Sequence, residues 1–390
     1  MKFGIVVFPS MSINEIVEWG KIAEENGFQY IWMPDESPSP GYKDIFVLLT
    51  ALGFNTKKAI LGTSIFNPYT RHPAIVANAL LSIAELTNDR IIYGIGPGGI
   101  LTLGPLGIKM WEKPVKAVRD AVKVVRSLFK GEKVTFENEF FKVVDLKLEP
   151  TPKNIPIYIA ARGNQMLTLA GKYGDGVLLT TPINYLEPSV NVVKKAAEKV
   201  GRKLEDIDIA NWMPFGVDTN ADAARESVKG EVALLVSFLP EYMIESAKVD
   251  QEKANKIKEL MRSGKRDDAI KLVDDAMIDQ FAVAGTPNDV IEKIKIFLNG
   301  IDISEDSMAL SVIKDVGPGG NFLGVEHTMK HFKKSLWYPE FFNRDSYDGW
   351  MKKGGKPLGE VLNEKVKWIL ENHKPELLEK NVPAFTGGRG

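Results

Sequence analysis

Short apolar runs followed by loops and helical patterns repeat along most of the chain, and this alternation restricts the fold more than any other feature. In one unit, residues 59–65 form an apolar run, Asn67-Pro68 interrupts it, and a helix-compatible stretch begins at Pro73. Proline lacks the amide hydrogen that a strand ladder requires, but it fits the first turn of a helix. Alternation of this kind predicts a parallel sheet with helices packed outside it.

Eight apolar runs have the length of a strand, and they predict a sheet of eight strands. They are residues 3–8, 29–33, 59–65, 89–95, 156–160, 177–181, 207–217 and 308–313. Eight strands with intervening helices favour a closed (β/α)8 barrel of the TIM type. An open, doubly wound sheet is the alternative that the pattern leaves open.

Two segments interrupt the repeat and are predicted to be insertions. Residues 132–148 contain two β-rich runs and indicate a hairpin on the outer surface. Residues 231–280 are charged and mostly helical in pattern. We therefore take residues 1–335 as the barrel. Residues 336–390 form a C-terminal extension rich in aromatic residues, which we expect to pack on the barrel or on a second subunit.

Charge balance and residue types exclude several partners and chemistries. The 390 residues include 50 Lys and Arg against 51 Asp and Glu, so no broad field favours nucleic acid or anionic lipid. There is no cysteine, which removes disulfides and thiolate catalysis. No apolar run reaches the ~18 residues of a membrane span, and the first run lacks a signal-peptide cleavage site. We expect a cytoplasmic protein that binds neither nucleic acid nor membranes.

Common phosphate and metal motifs do not occur in the sequence. Residues 96–99 read Gly-Pro-Gly-Gly, but they follow the fourth strand and lack the spacing of a Rossmann fingerprint. No Gly-x-x-x-x-Gly-Lys-Ser/Thr loop exists, which argues against a nucleoside triphosphatase. His327 and His331 are four residues apart without the glutamate of a His-Glu-x-x-His site. We predict no metal.

A ligand site is expected at the carboxyl ends of the strands, because parallel sheets of this kind bind ligands there. Asp35 and Glu36 follow the second strand and, being adjacent, point to opposite sides of an extended chain. The glycines in residues 96–99 allow the backbone to approach a planar ligand closely. Residues 161–164 open a helix whose free amides bind an anion; the alternative is that Arg162 is a surface charge and Gly163 a helix cap.

With these motifs in this order, the chain resembles the bacterial-luciferase-like flavin and deazaflavin oxidoreductases. Within that family it most resembles the methylene-tetrahydromethanopterin reductase group of archaea. The resemblance covers roughly residues 1–335. Its matching stretches are residues 1–5, 27–32, 67–73, 94–98, 106–108, 113–114, 155–158, 174–176 and 283–287.

The resemblance implies a (β/α)8 barrel with insertions, a homodimer or tetramer, and the 8-hydroxy-5-deazaflavin coenzyme F420. It implies that the ring lies at the end of the third strand, against a non-proline cis peptide between Ser64 and Ile65. The residues that it assigns to the ring and its substituents are Asp35, Ser64, Ile65, Asn67, Gly96, Pro97 and Gly98. Those that it assigns to the phosphate side are Ala161, Gly163, Gly176 and Val177.

Departures from the family pattern indicate a different substrate. The reductase group has acids where this chain has Val6 and Gly99, and it often has threonine where this chain has Phe66. Phe66 is expected either to stack on the site or to crowd it. Where the group often has Asp-His, this chain has Asp35-Glu36. We take Glu36 as the candidate general acid or base, with Asp35 beside it, because a carboxyl group in a dry pocket has a raised pKa.

Three functions are consistent with this pattern. The first is hydride transfer between F420 and a small organic substrate. The second is an FMN-dependent monooxygenase supplied by a separate reductase, because the same barrel supports both chemistries. The third is a non-catalytic barrel that binds a coenzyme or a partner, since fold alone does not fix function.

Overall fold

The computed structural model describes residues 2–36, 41–99, 103–108, 113–148, 154–298 and Glu364. The chain divides into two compact units, residues 1–303 and residues 304–390. The predicted eighth strand and, apart from Glu364, the C-terminal extension lie outside the described residues.

The described part of the chain contains eleven strands, seven of which form one parallel sheet. They are β1 (Gly4–Val6), β2 (Tyr30–Met33), β3 (Ile60–Thr63), β4 (Ile91–Ile95), β5 (Val134–Glu137), β6 (Lys142–Leu146), β7 (Ile157–Ala160), β8 (Gly176–Leu179), β9 (Asp208–Asn211), β10 (Phe215–Val217) and β11 (Val283–Gly285). The main sheet has the order β1-β2-β3-β4-β7-β8-β9, and all of its neighbouring strands are parallel.

This strand order decides between the two predicted architectures. Right-handed crossovers between strands that follow one another in space put all the connecting helices on one face of the sheet. A doubly wound sheet instead reverses its strand order at one point, and the main sheet has no such reversal among its described strands. The fold is therefore the (β/α)8 barrel type.

Thirteen α-helices are described, and local signals set several of their starts. They are α1 (Ile13–Glu25), α2 (Ile45–Asn55), α3 (Pro73–Thr87), α4 (Pro114–Phe129), α5 (Asn164–Tyr173), α6 (Leu186–Glu198), α7 (Ala221–Ser227), α8 (Lys229–Phe238), α9 (Glu241–Ser246), α10 (Gln251–Arg262), α11 (Arg266–Lys271), α12 (Asp275–Phe281) and α13 (Pro287–Leu298). Ser12 and Glu15 form a capping box at the start of α1. Asp44 caps α2 through the amides of Phe46 and Val47. No described helix is long and apolar enough to cross a bilayer.

Both insertions have the predicted secondary structure. Strands β5 and β6 pair as an antiparallel hairpin, and helices α8 to α12 fill the second segment. The second segment has its own apolar core, separate from the core between the main sheet and its helices.

The prediction of one long strand over residues 207–217 was wrong. The structure has β9 in the main sheet and β10 in a separate parallel pair with β11. Pro214 lies in the break between them and has no amide hydrogen to donate. Its carbonyl instead accepts a hydrogen bond from the amide of Val283 at 2.9 Å. The strand β11 was not predicted, because three residues are too few to show a pattern.

Aromatic side chains fill the inner face of the sheet. The rings of Tyr30 and Trp32 stack with centroids 5.8 Å apart, and Tyr158 lies 5.6 Å from Trp32. A Cβ atom on Gly62 would lie 2.3 Å from the Trp32 ring, and one on Gly176 would lie 2.6 Å from the Tyr158 ring. Glycine is therefore required opposite these rings, and the interior is a packed layer rather than a channel.

Candidate functional site

Hydrogen bonds join the loop after β3 to the strands on either side of it. The Ser64–Ile65 peptide bond is cis, as the sequence resemblance implies. The amide of Ser64 donates to the carbonyl of Met33 at the end of β2, over 2.7 Å. On the other side, the amide of Phe66 donates to the carbonyl of Gly94 in β4, over 2.9 Å. The carboxyl ends of three strands are thus held at one place.

Glycines in and after β4 let that strand approach the loop. A Cβ on Gly94 would lie 1.8 Å from the carbonyl oxygen of Thr63, and one on Gly96 would lie 2.3 Å from Cδ1 of Ile65. Gly98 has a φ of +72°, which side-chain-bearing residues rarely adopt. The loop after β3 and strand β4 are therefore closely packed at the carboxyl end of the sheet, with the Ile65 side chain against Gly96.

The Phe66 side chain does not enter the site. It is fully buried and packs between Phe46 of α2, at a centroid distance of 5.1 Å, and Tyr93 of β4, at 5.9 Å. Both expectations for Phe66, stacking on the site or crowding it, are therefore corrected. Its side chain belongs to the core outside the sheet, because the chain turns after β3 and no longer follows the alternation of a strand.

Asn67 is buried, and its side-chain oxygen already accepts hydrogen bonds from the loop. Its Oδ1 accepts hydrogen bonds from the amides of Tyr69 and Thr70, both at 3.0 Å, so the side chain holds the loop in shape. The Nδ2 group is the part of Asn67 that is left to donate to a ligand.

Asp35 and Glu36 lie in different surroundings, in line with their adjacent positions. Asp35 is only 5% exposed, and its carboxylate lies 3.7 Å from Nε of Arg71. Arg71 also contacts Asp44 at 2.7 Å and covers the Phe46 ring at 4.7 Å. The Asp35 carboxylate is thus part of an ion-pair group that fixes the loops after β2 and β3.

Glu36, unlike Asp35, is exposed. Surrounding protein raises the pKa of its carboxyl group, and a hydrogen bond from the Tyr42 hydroxyl opposes that rise. Because the side chain is exposed at its surface, we expect water to limit the increase. A carboxyl group with a raised pKa exchanges protons more readily near neutral pH than an ordinary glutamate does.

The start of α5 forms the other side of the candidate site. Gly163 is the N-cap residue of α5, and no side chain caps the first turn. The amides of that turn are therefore suited to an anion. Ala161 is buried, and next to it Arg162 donates from Nε to Oγ1 of Thr180 over 2.5 Å. The alternative that Arg162 is only a surface charge does not account for this contact, which comes from a residue that follows another strand.

Two of the residues assigned to the phosphate side lie elsewhere. Gly176 is the first residue of β8, and the Tyr158 ring covers it. Val177 is fully buried in the core. Thr180, which follows the carboxyl end of β8, contacts Arg162 instead.

Histidine contributes no metal site in the described regions. His72 is the N-cap residue of α3, and its Nδ1 accepts from the amide of Ala74 at 3.2 Å. No group of three or more His, Asp or Glu side chains suited to a metal occurs in the part of the chain that the structure describes. His327 and His331 lie outside it.

Comparison with known proteins identifies the family. Residues 1–300 match the family model of the luciferase-like monooxygenases, and the chain belongs to that family. This confirms the resemblance read from the sequence. Residues 269–384 also match the family model of trimethylamine methyltransferase (MTTB), so the two matches overlap over residues 269–300.

The similar proteins include enzymes whose names state dependence on F420. A 5,10-methylenetetrahydromethanopterin reductase of Archaeoglobus fulgidus is 36% identical over 300 residues, covering 75% of this chain and 89% of the relative. An F420-dependent glucose-6-phosphate dehydrogenase of Nakamurella multipartita is 28% identical, covering 73% and 84%. The solved coenzyme F420 dependent tetrahydromethanopterin reductase from Methanopyrus kandleri superposes with a TM-score of 0.70 at 32% identity, covering 76% of this chain and 90% of that one.

Proposed function

We propose that this protein is an F420-dependent oxidoreductase that transfers a hydride between the coenzyme and a small organic substrate. The observation that carries the proposal is the closely packed surface at the carboxyl end of the sheet, where the Ile65 side chain lies against Gly96. The similarity to enzymes named for F420 supports the same coenzyme.

The residues around this surface fit a planar ring. Gly94 and Gly96 let β4 lie close to this loop, because a Cβ atom on either glycine would overlap Thr63 or Ile65. Nδ2 of Asn67 is suited to donate to a ring oxygen or nitrogen, and the amides at the start of α5 are suited to the phosphate side. The coenzyme, when bound, supplies or accepts the hydride.

Glu36 is the residue that we propose for proton exchange with the substrate. Its carboxyl group is exposed at the mouth, has a raised pKa and lies beside Tyr42. Asp35 is less suited to this role, because Arg71 holds its carboxylate in an ion pair. We propose that Asp35 positions the loop beside the ring instead.

The substrate that we propose differs from that of the reductases. Val6 in β1 and Gly99 after β4 carry no acid, so any proton must come from another group. The match of residues 269–384 to the trimethylamine methyltransferase model favours methylated amines as the first substrates to assay. Methylenetetrahydromethanopterin is the comparison substrate, because it appears in the name of a 36% identical relative.

Equilibrium dialysis of the full chain against F420 and against FMN tests the proposal. We expect F420 to bind and FMN not to bind. Binding of FMN alone would favour the two-component monooxygenase, and binding of neither would favour a non-catalytic barrel. Glu36→Gln then tests the proton-exchange role: we expect F420 affinity to be unchanged and turnover to fall by about 10²–10⁴-fold, the usual effect of general acid–base catalysis.

We also propose that the protein is a homo-oligomer and that helices α2 and α3 form the interface between its subunits. Helix α2 contains no charged residue, although Val47 and Phe54 on its outer side are 55% and 64% exposed. Ile75 of the neighbouring α3 is 63% exposed. A helix that is apolar all round is expected to be covered on both sides.

A further inference from the structure

We propose that Tyr42 is a positioning residue that holds the Glu36 carboxyl group for proton exchange, and that Arg266 of the second insertion acts on Glu36 through the Tyr42 hydroxyl. The second insertion is the segment of residues 231–280. The proposal rests on the proposed function only for the use that is made of the proton, since the link between the three side chains is argued from this chain.

The loop that carries Tyr42 is tied down immediately after this residue. The Lys43 ammonium group donates to the carbonyl of Ser10 at 3.0 Å, which joins the loop to the one after β1. The next residue, Asp44, caps α2 and also pairs with Arg71 at 2.7 Å. Tyr42 itself is half-buried. The backbone that carries its ring is therefore fixed, and a group that is already held loses little freedom when it forms a hydrogen bond.

The Tyr42 hydroxyl is the donor to the Glu36 carboxylate. Burial and the charge of this carboxylate raise the pKa of the Tyr42 hydroxyl, and the charge of Arg266 opposes that rise. A phenol with a pKa above its usual value of about 10 stays protonated at ordinary pH. Tyr42 is therefore a donor throughout the pH range in which a glutamate titrates.

The other residues beside Glu36 in the chain do not compete for this role. The carboxylate of the preceding residue, Asp35, lies 3.7 Å from Nε of Arg71 and is held in that ion pair. Residues 37–40 are serines and prolines, which carry no charge. We therefore assign to Tyr42 the control of the charge state of Glu36 from the barrel side.

Arg266 brings the second insertion to the same loop. A Cβ atom on Gly230 in α8 would lie 3.4 Å from Nη2 of Arg266, so the guanidinium group lies against α8. Its charge also reaches the Tyr42 hydroxyl. A nearby cation polarises the hydroxyl group, and a more polar hydroxyl donates more strongly to a carboxylate. Arg266 is therefore expected to favour the charged form of Glu36 through Tyr42.

The second insertion reaches loops on opposite sides of the barrel. On one side, the Tyr242 hydroxyl of α9 donates to the carbonyl of Arg162, after β7, over 3.4 Å, and the Tyr242 ring lies 5.6 Å from that of Tyr185, after β8. On the other side, Arg266 reaches Tyr42, after β2. Three strands separate β2 from β8 in the main sheet, and strands four places apart lie opposite each other in a barrel of eight. The second insertion therefore crosses the mouth of the barrel, where it can act on a proton-exchange group.

Carbon-13 NMR titration of the Glu36 carboxyl group tests the proposal in the full chain without coenzyme. The Glu36 signal is assigned by its loss in Glu36→Gln. In Tyr42→Phe the pKa of Glu36 should rise by about 0.5–1 unit, because the charged form loses a hydrogen bond; water at the exposed carboxyl group keeps the rise below the ~1–2 units of a buried hydrogen bond to a charge. Tyr173→Phe is the matched control. It removes a hydroxyl at the last residue of α5, where the ring lies 5.6 Å from Nζ of Lys123, and it should leave the titration unchanged.

A double-mutant cycle tests the link to the second insertion. Arg266→Gln should raise the pKa of Glu36 by less than Tyr42→Phe does, and it should have no further effect in a chain that already carries Tyr42→Phe. Arg262→Gln removes an exposed arginine at the end of α10 and should have no effect. The proposal is overturned if Glu36 titrates at the same pH in Tyr42→Phe as in the wild type. An Arg266→Gln effect that persists in the double variant would overturn the role of Tyr42 as the link.

Turnover separates this proposal from the proposed function. With F420 and trimethylamine, or methylenetetrahydromethanopterin for comparison, the limb of the pH profile of kcat that reports Glu36 should move to higher pH in Tyr42→Phe by the amount seen in the titration. F420 affinity should be unchanged. A shifted titration in a chain that binds no F420 would refute the proposed function and leave the link between the three side chains standing. A limb that stays in place despite a shifted titration would overturn the use of Glu36 in proton exchange, and with it the positioning role of Tyr42.

Discussion

Replacing Gly94 by alanine tests the close contact between β3 and β4 on which the candidate site is built. The new Cβ would lie 1.8 Å from the carbonyl oxygen of Thr63 and 2.9 Å from its carbonyl carbon. These are backbone atoms, so no side chain can turn aside to relieve the overlap. The two strands would have to separate by more than 1 Å, roughly the shortfall from an ordinary van der Waals contact of about 3.5 Å.

That separation also breaks two buried hydrogen bonds. Oγ1 of Thr63 donates to the Gly94 carbonyl and accepts from the Gly94 amide, both over 2.8 Å. Overpacking costs about 1–3 kcal/mol and each lost hydrogen bond about 1 kcal/mol, which together give roughly 3–5 kcal/mol. A loss of this size is a large part of the 5–15 kcal/mol or so that typically stabilises a domain.

Urea denaturation provides the assay, with Gly99→Ala as the matched control. A Cβ atom added to Gly99 would have no atom of the described residues within 4 Å apart from its chain neighbours, and the residue does not need a positive φ. Alanine there should therefore change stability by less than about 1 kcal/mol. The midpoint of Gly94→Ala should fall with an unchanged slope. A Gly94→Ala protein as stable as the control would refute the packing argument, and F420 affinity should fall together with stability.

Three further predictions concern other parts of the molecule. Glu24 accepts hydrogen bonds from the amides of Ala59 and its two preceding residues, and although burial opposes them, they hold its pKa below the usual value. Its contribution to stability is therefore full above pH ~4.5 and is lost as the pH falls through the lower folded-state pKa. Glu24→Gln should therefore flatten the acid limb of a melting-temperature profile, and an unchanged acid limb would contradict this role. Phe66→Ala should lower the free energy of unfolding by about 3–5 kcal/mol in urea denaturation, and a loss under 1 kcal/mol would contradict its place in the core. Phe54→Glu should shift the light-scattering mass to a smaller species, whereas an unchanged mass would exclude α2 from the interface.

Local signals made the strands and helix starts predictable from the sequence. The capping box at Ser12 and the proline at the start of α3 act within a few residues, so their effects are visible in the sequence. The opposite surroundings of Asp35 and Glu36 follow from the geometry of adjacent residues in an extended chain.

The remaining features depend on contacts between distant parts of the chain. Phe66 leaves the site because Phe46 and Tyr93, from other elements, pack around it. Arg162 is a partly enclosed cation only because the second insertion, more than 60 residues further on, brings Phe238 to it. Gly176 begins β8 as the sequence indicates, but the contact of the Tyr158 ring with it comes from the neighbouring strand and is not visible in the sequence.

The pairing of β10 with β11 brings the two ends of the second insertion together. The segment between them starts after Val217 and ends before Val283, and these residues belong to strands that lie side by side. A segment that departs and returns at one place can be lengthened, shortened or exchanged without moving the strands of the main sheet. Because this segment carries its own core and also reaches the Arg162 end of the barrel, ligand preference can diverge in it while the ring-binding backbone stays as it is.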